Sequence, residues 1–342
     1  MSGRPAVDSP LRNRTVVVTG AARGIGAALA LELARRGARL ALLGHEKPLL
    51  DTVAATVPSA ALTWEVDVTD AEALAGAADE VRRRLGPPSA VVANAGIATG
   101  GPFATSDPAL WRRVIDVNLT GSAQTARAFL PDLADTAGYY LQVASSASLG
   151  AAPLMSAYCA AKAGAEAFAQ ALRAEVAHLG IGVGIAYVHW TDTEMIRDAD
   201  RYTALRTLRV RMPPPASRVS SADAVAARLA HAVERRRTTV YVPAWLRMAQ
   251  VVRTAMPPVV LRRTRRELPR LVDARELTAT GPLGAGGRAD RAAAEGTTGR
   301  QTGETADPKT ETTPDTGERA AKETDGETDE ETGGETDEET GG

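Results

Sequence analysis

The sequence predicts a doubly wound α/β fold: a parallel sheet of about seven strands with helices packed on both faces. Short apolar runs alternate with helix-length amphipathic stretches along most of the chain. The runs are apolar nearly throughout rather than at every second residue, as strands covered on both faces require. A glycine-rich turn joins the first run to the first helical stretch, where open parallel sheets hold phosphate-bearing ligands.

The expected strands, in order, are TVVVT (15–19), RLALL (39–43), ALTWEV (61–66), AVVAN (90–94), YYLQVA (139–144), VGIAYV (183–188) and TVYV (239–242). Helical patterns fall between them near 24–36, 47–56, 70–85, 107–134, 155–179 and 221–236, each long enough to cross back over a sheet. Together they define one domain over residues 10–245. A basic amphipathic extension, 246–275, follows. Residues 276–342 are rich in Gly, Thr, Glu and Asp and offer almost nothing to bury, so an acidic, disordered tail is expected there, with folding back onto the basic body as the alternative.

Charge supports that division. The chain of 342 residues has a formal net charge of −2. From Glu276 onward there are 18 acidic and 6 basic residues, which leaves a body with a net charge of +10. A nucleic-acid role finds no support: there is no recognition motif, and aromatics are only 4% of the chain. No run approaches the length of a membrane span, and MSGRPAVDSPLRNR lacks an apolar signal core. The single cysteine, Cys159, cannot form an internal disulfide, which suits a cytoplasmic setting. His45, His178, His189 and His231 have no metal-ligand spacing, so no metal site is expected.

Two segments carry chemistry. The first is TGAARGIG, with Gly20, Arg23, Gly24, Ile25 and Gly26 between strand and helix. Glycines there permit a tight turn and close approach of the main chain to a pyrophosphate, while the helix start offers free N–H groups. This makes the fold a Rossmann-type dinucleotide binder. The second is Tyr158-Cys159-Ala160-Ala161-Lys162. On a helix, Tyr158 and Lys162 share a face. An ammonium beside a phenol would lower its pKa toward the working range for proton transfer. Ser145, with Ser146 and Ser148 close by, sits past a strand end, where a hydroxyl could orient a substrate oxygen.

In these segments the chain resembles the short-chain dehydrogenase/reductase family, in its main single-domain branch, over roughly residues 12–245. The glycine spacing is Gly-x3-Gly-x-Gly, as in the family's TGxxxGIG, and not the general Gly-x-Gly-x2-Gly. The resemblance implies an NAD(P)-dependent oxidoreductase acting on a carbonyl or secondary alcohol. It assigns Ser145, thirteen residues before Tyr158, to the substrate oxygen, and Asn118 of DVNLTG to a proton path through Lys162. It places Asp67 and Val68 at adenine, Asn94, Ala95 and Gly96 beside the cofactor, Tyr158 and Lys162 at the ribose, and Thr193 at the carboxamide. It also implies a homodimer or homotetramer.

The chain departs from the family after the sixth strand, where Val188-His189-Trp190 replaces the usual Pro-Gly and only Thr193 matches. For the cofactor, Gly44 stands where NAD-preferring relatives carry Asp, and Arg23 matches a basic position of NADP-preferring ones. NADP is therefore the expected cofactor over NAD, although Glu46 lies close by. His189 is expected to pack at the strand end, with reach into the substrate cavity as the alternative, and Cys159 to pack beside the tyrosine.

Residues 194–220 read either as a lid over an apolar small-molecule substrate or as surface helices. The stretch 244–271 places Trp245, Met248, Val252 and Met256 at helical spacing ahead of many arginines. It reads as packing on the body, as closing the substrate cleft, as peripheral membrane contact, or as a dock for an acidic carrier partner. The competing functional class is a catalytically silent NAD(P)-binding regulator or scaffold.

Overall fold

Thr15–Thr19 (β1) is an interior strand, third in order across a seven-stranded sheet, and its three valines are fully buried. Val17 faces one layer of helices while Val16 and Val18 face the other, so the strand is apolar on both sides. The computed structural model describes residues 9–273 and 277–291, all within one compact unit.

The remaining strands are Arg39–Gly44 (β2), Ala61–Glu65 (β3), Pro88–Ala93 (β4), Tyr139–Ser145 (β5), Gly182–Val188 (β6) and Thr239–Val242 (β7). They pair in the order β3-β2-β1-β4-β5-β6-β7, and every pairing is parallel. Winding reverses between β1 and β4. There the connecting helices leave in opposite directions, and a crevice opens at the carboxyl ends of the strands.

Helices Gly24–Arg35 (α1) and Lys47–Thr56 (α2) cover one face, and Ala71–Leu85 (α3) covers the other. Leu29, Leu33 and Leu50 pack with Val16 and Val18, whereas Leu74 and Val81 pack with Val17. Each such buried aliphatic side chain contributes about 1.5–3 kcal/mol of transfer free energy. Local signals set the ends. The Asp70 carboxylate accepts from the amides of Glu72 and Ala73 to cap α3, and Gly86, at φ +77, ends it.

The stretch expected as one helix over 107–134 is divided. Pro108–Ile115 (α4) and Gly121–Asp135 (α5) flank a π-helical turn, Asp116–Thr120. The expected helix 155–179 is Ser156–Glu175 (α6), followed by a short 3₁₀ turn closed by Gly180 at φ +71. Glu194–Ala199 (α7) and Thr203–Val210 (α8) form the 194–220 region, and Ala222–Glu234 (α9) joins α1 and α2 on their face.

Beyond β7, Leu246–Val251 (α10) and Met256–Asp273 (α11) continue the chain. Arg253, between them, pairs with buried Glu166 of α6 at 2.7 Å and donates to the Ser148 carbonyl. One expectation is corrected here. Residues 277–291, placed by composition in a disordered tail, pack on the body and end in a helix at 284–291. Leu283 is 1% exposed and Asp290 2%, so this stretch has something to bury after all. The rest of the acidic tail, 292–342, lies outside the described residues.

Candidate active site

The glycine turn follows β1. Gly20 adopts φ +63 and Gly24 φ +52, backbone that favours glycine. At Gly26 the requirement is space: a Cβ would lie 2.1 Å from the Gly20 carbonyl oxygen. Asn94 holds the turn from beneath, its Nδ2 donating to the carbonyls of Thr19 and Gly20 at 3.0 and 3.1 Å. The Thr19 hydroxyl in turn accepts from the amides of Asn94 and Ala95. Asn94 thus supports the turn from strand β4. No side chain caps α1, so its first amides remain available to an anion.

At the far end of the crevice, Asp67 accepts from the Thr69 amide and hydroxyl, both at 2.8 Å, and from Arg113 at 2.6 Å. Burial raises its pKa, but these bonds outweigh it and hold the carboxyl below its ordinary value. Val68 lines the cavity, whereas Asp67 and Gly26 stand behind its wall. Arg23 is engaged on two sides. It donates to Glu46 at 2.7 Å through Nε and to Glu194 at 3.0 Å.

The other expected residues meet across the crevice. Ser145 ends β5, accepts from the Ala147 amide at 3.1 Å, and its hydroxyl lies beside the phenol of Tyr158. Lys162, one turn on along α6, is 4% exposed and donates from Nζ to the Val143 carbonyl at 3.1 Å. Its Nζ lies 5.8 Å from the centre of the Tyr158 ring. Burial pulls the Lys162 ammonium down to about 8. It also pushes the Tyr158 phenol above its ordinary value, against the opposing influence of the Ser145 hydroxyl. The lysine was expected to lower that value. It is turned to a backbone carbonyl, and desolvation prevails.

Asn118 sits in the π-helical turn. Its Nδ2 donates to the carbonyls of Ile97 and Val114, both at 2.8 Å. Its Oδ1 is buried with no hydrogen-bond partner among the described residues. The Oδ1 lies against Gly96, where an added Cβ would be 2.6 Å from it and 3.4 Å from Lys162 Nζ. A π turn adds a residue to a helical circuit and so re-aims a side chain. Here it brings the asparagine amide beside the lysine.

One cavity of about 460 Å³ joins these parts. Gly20, Arg23, Gly24, Ile25, Asn94, Ala95, Gly96 and Thr193 line it together with Asn118, Ser145, Tyr158 and Lys162. Thr193 touches the glycine turn, its Cγ2 3.2 Å from where a Gly24 Cβ would be. Beyond Tyr158 the wall is apolar, with Met155, Leu205, Leu208, Met212, Met256 and Val260. His189 bridges the Ala216 carbonyl at 2.7 Å and the Ser146 hydroxyl at 2.8 Å, and Trp245 meets its ring edge-on. Burial lowers its pKa despite the bond to Ala216, as befits a packed, neutral imidazole. The Cys159 thiol accepts from the Ala152 amide, and burial raises its pKa.

Sequence reasoning missed the segment 277–291. Leu283 donates its amide to the Ala98 carbonyl at 2.9 Å, Thr280 to the Gly100 carbonyl at 2.7 Å, and Gly284 to Asp198 at 2.9 Å. Asp290 accepts from Arg113 at 2.7 and 3.0 Å and lies 3.2 Å from His45 Nε2. Leu283 through Gly287 line the cavity, so the segment straps the crevice from Gly100 to the Asp67 end. The signal, buried Leu283 and Asp290 with few other side chains to bury around them, is too sparse to detect by periodicity.

The short chain dehydrogenase family profile matches residues 14–203, more than half of the chain, and the chain belongs to that family. It is 35% identical over 186 residues to the "Probable oxidoreductase EphD" of Mycobacterium tuberculosis, which covers 53% of this chain and 31% of that protein. The chain therefore spans about a third of that relative. It is 32% identical over 177 residues to the "2-(S)-hydroxypropyl-CoM dehydrogenase 3" of Xanthobacter autotrophicus, covering 51% of this chain and 69% of the other. A solved short-chain type dehydrogenase/reductase from Mycobacterium marinum superposes with a TM-score of 0.62 at 26% identity, over 68% of this chain and 94% of that one. Among the described residues no helix is long and apolar enough to cross a membrane, and no group of His, Cys, Asp or Glu could hold a metal ion.

Proposed function

We propose that this chain catalyses hydride transfer between a nicotinamide dinucleotide and the carbonyl or secondary-alcohol carbon of an apolar substrate. The observation that carries the reading is the meeting of Ser145, Tyr158 and Lys162 with the glycine turn in one cavity. The residues suit such a cofactor. Uncapped amides at the start of α1 suit a pyrophosphate, and the unpartnered Asn118 Oδ1 beside Lys162 leaves an acceptor for a ribose-linked or solvent proton path.

When bound, the nicotinamide would supply or accept the hydride. The chain's own residues would manage the oxygen. Ser145 orients it by a hydrogen bond, and Tyr158 donates its phenolic proton to it during reduction. The phenolate left behind is stabilised by the Ser145 hydroxyl and by a protonated Lys162, and a proton returns past Asn118. A phenol held above its ordinary pKa is protonated at neutral pH, as a donor must be. The apolar wall formed by Leu205, Leu208, Met212 and Val260 favours a substrate with a hydrocarbon body.

Between the two cofactors, the ion pairs of Arg23 favour NAD over the NADP expected from sequence. The guanidinium that a 2′-phosphate would need is shared between Glu46 and Glu194, and those carboxylates would repel the added charge. Fluorescence titration is expected to give tighter binding of NADH than of NADPH.

Tyr158→Phe tests the assignment of roles. It keeps the packing and should bind cofactor as the wild type does, with kcat reduced by about 10²–10⁴. Wild-type turnover in that variant would remove the proton-transfer role. Saturable cofactor binding without turnover on any carbonyl or alcohol, even in the wild type, would favour the silent binder.

A further inference from the structure

The outer face of the C-terminal extension is apolar and cationic together, and the fold leaves it uncovered. Met248, Val251 and Val252 of the α10 region are 64%, 72% and 50% exposed, and Val259 and Leu261 on α11 are 66% and 51%. Further along α11, Arg262, Arg265 and Arg266 are exposed and form no ion pair among the described residues. The inward face of the same helix is different. Met256, Val260 and Thr264 recur every four residues and line the cavity. One helix is thus a wall of the cavity on one side and an apolar, arginine-bearing surface on the other.

We infer that this surface docks on an anionic lipid bilayer, the exposed valines, Met248 and Leu261 entering the headgroup boundary and the arginines meeting lipid phosphates. Two other occupants fit less well. The acidic residues beyond 291 complement the arginines, but that stretch is Gly, Thr, Glu and Asp with almost no apolar side chain to cover the valines. A second copy of the chain would cover apolar surface but bring a like-charged arginine row to the contact, at electrostatic cost. An anionic bilayer satisfies both halves of the surface. The docking is anchored to the body, because Arg253 ties the start of α11 to Glu166 on the helix that carries Tyr158 and Lys162.

The test is sedimentation of the full chain with vesicles containing phosphatidylglycerol, against pure phosphatidylcholine vesicles, at low and high salt. The expected result is sedimentation with the anionic vesicles only, reversed by salt. Arg262→Glu/Arg265→Glu/Arg266→Glu should lower the partition coefficient by about a hundredfold. Val251→Ser/Val252→Ser should lower it while leaving the arginines in place. Both variants should keep wild-type melting temperature and wild-type turnover of a short soluble ketone, since none of these residues lines the cavity. Equal recovery in the supernatant with both vesicle types overturns the inference, as does a self-association that the arginine substitutions abolish while vesicle binding is nil. Failure of turnover with vesicle binding intact would count against the proposed reaction and not against docking.

Discussion

Lys162 has two neighbours that matter, the Val143 carbonyl it bonds and the tyrosine ring it overlooks, and almost no water. Desolvation lowers its pKa to about 8 from the ordinary value of 10.5. In the unfolded chain the amine keeps its proton to the higher value, so between these two the unfolded state binds more protons than the folded one. Stability contributed by this group therefore rises with pH across that window and is flat below and above it. The gain is about 3 kcal/mol over the window, at about 1.4 kcal/mol per pKa unit. Urea melts of the wild type and Lys162→Met should show the wild type gaining about that much relative to the variant between pH 8 and 10.5. A pH-independent difference would mean that the lysine is hydrated and lies outside the arrangement described.

Among elements, the strap over 277–291 lines the cavity with Leu283, Gly284 and Asp290. Its Asp290 end is held by Arg113 and His45, which lie beside Asp67 at the end of the crevice opposite Tyr158. Burial raises the Asp290 pKa, but the bonds from His45 and Arg113 outweigh it and keep the carboxyl ionised. His45 is raised in turn, since burial, which lowers it, is exceeded by Asp290 and Asp67. The His45 contribution is thus present below its ordinary pKa and lost as pH climbs through the raised value. Asp290→Asn removes the charge with little change in shape. It should speed backbone amide exchange over 277–291 in the cofactor-free protein and raise the NADH dissociation rate about tenfold, for roughly 1.4 kcal/mol of lost holding energy. Unchanged exchange over 277–291 would show that the carboxylate does not hold the strap.

At the scale of the whole molecule, the sheet was legible because its strands are buried on both faces. Val16, Val17 and Val18 each meet a helix layer, so no alternation was needed to find them. The glycine turn and the Tyr158–Lys162 pair were legible because local geometry demands those residue types at short spacing. Ser145 and Asn118 were chosen by family spacing alone, since a hydroxyl after a strand and an amide within a helix have many ordinary uses. The π-helical turn that aims Asn118 left no mark in an apolar periodicity that runs through it. Glu46 was noted near Arg23, but the second partner, Glu194, was invisible for a different reason: it is 171 residues away in sequence. The strap was hidden by composition, where a single buried aspartate and leucine outweigh the polar residues around them.

The central claim is that this cavity moves a hydride, and isotopic transfer measures it most directly. The full chain should be incubated with NADH deuterated at the transferable position and a panel of aliphatic and aryl ketones, and the products read by mass spectrometry. Deuterium is expected on the carbinol carbon of at least one apolar ketone with the wild type, at an initial rate about 10²–10⁴ times that of Tyr158→Phe. Saturable NADH and NADPH binding with no deuterium transferred from either cofactor to any carbonyl would contradict it.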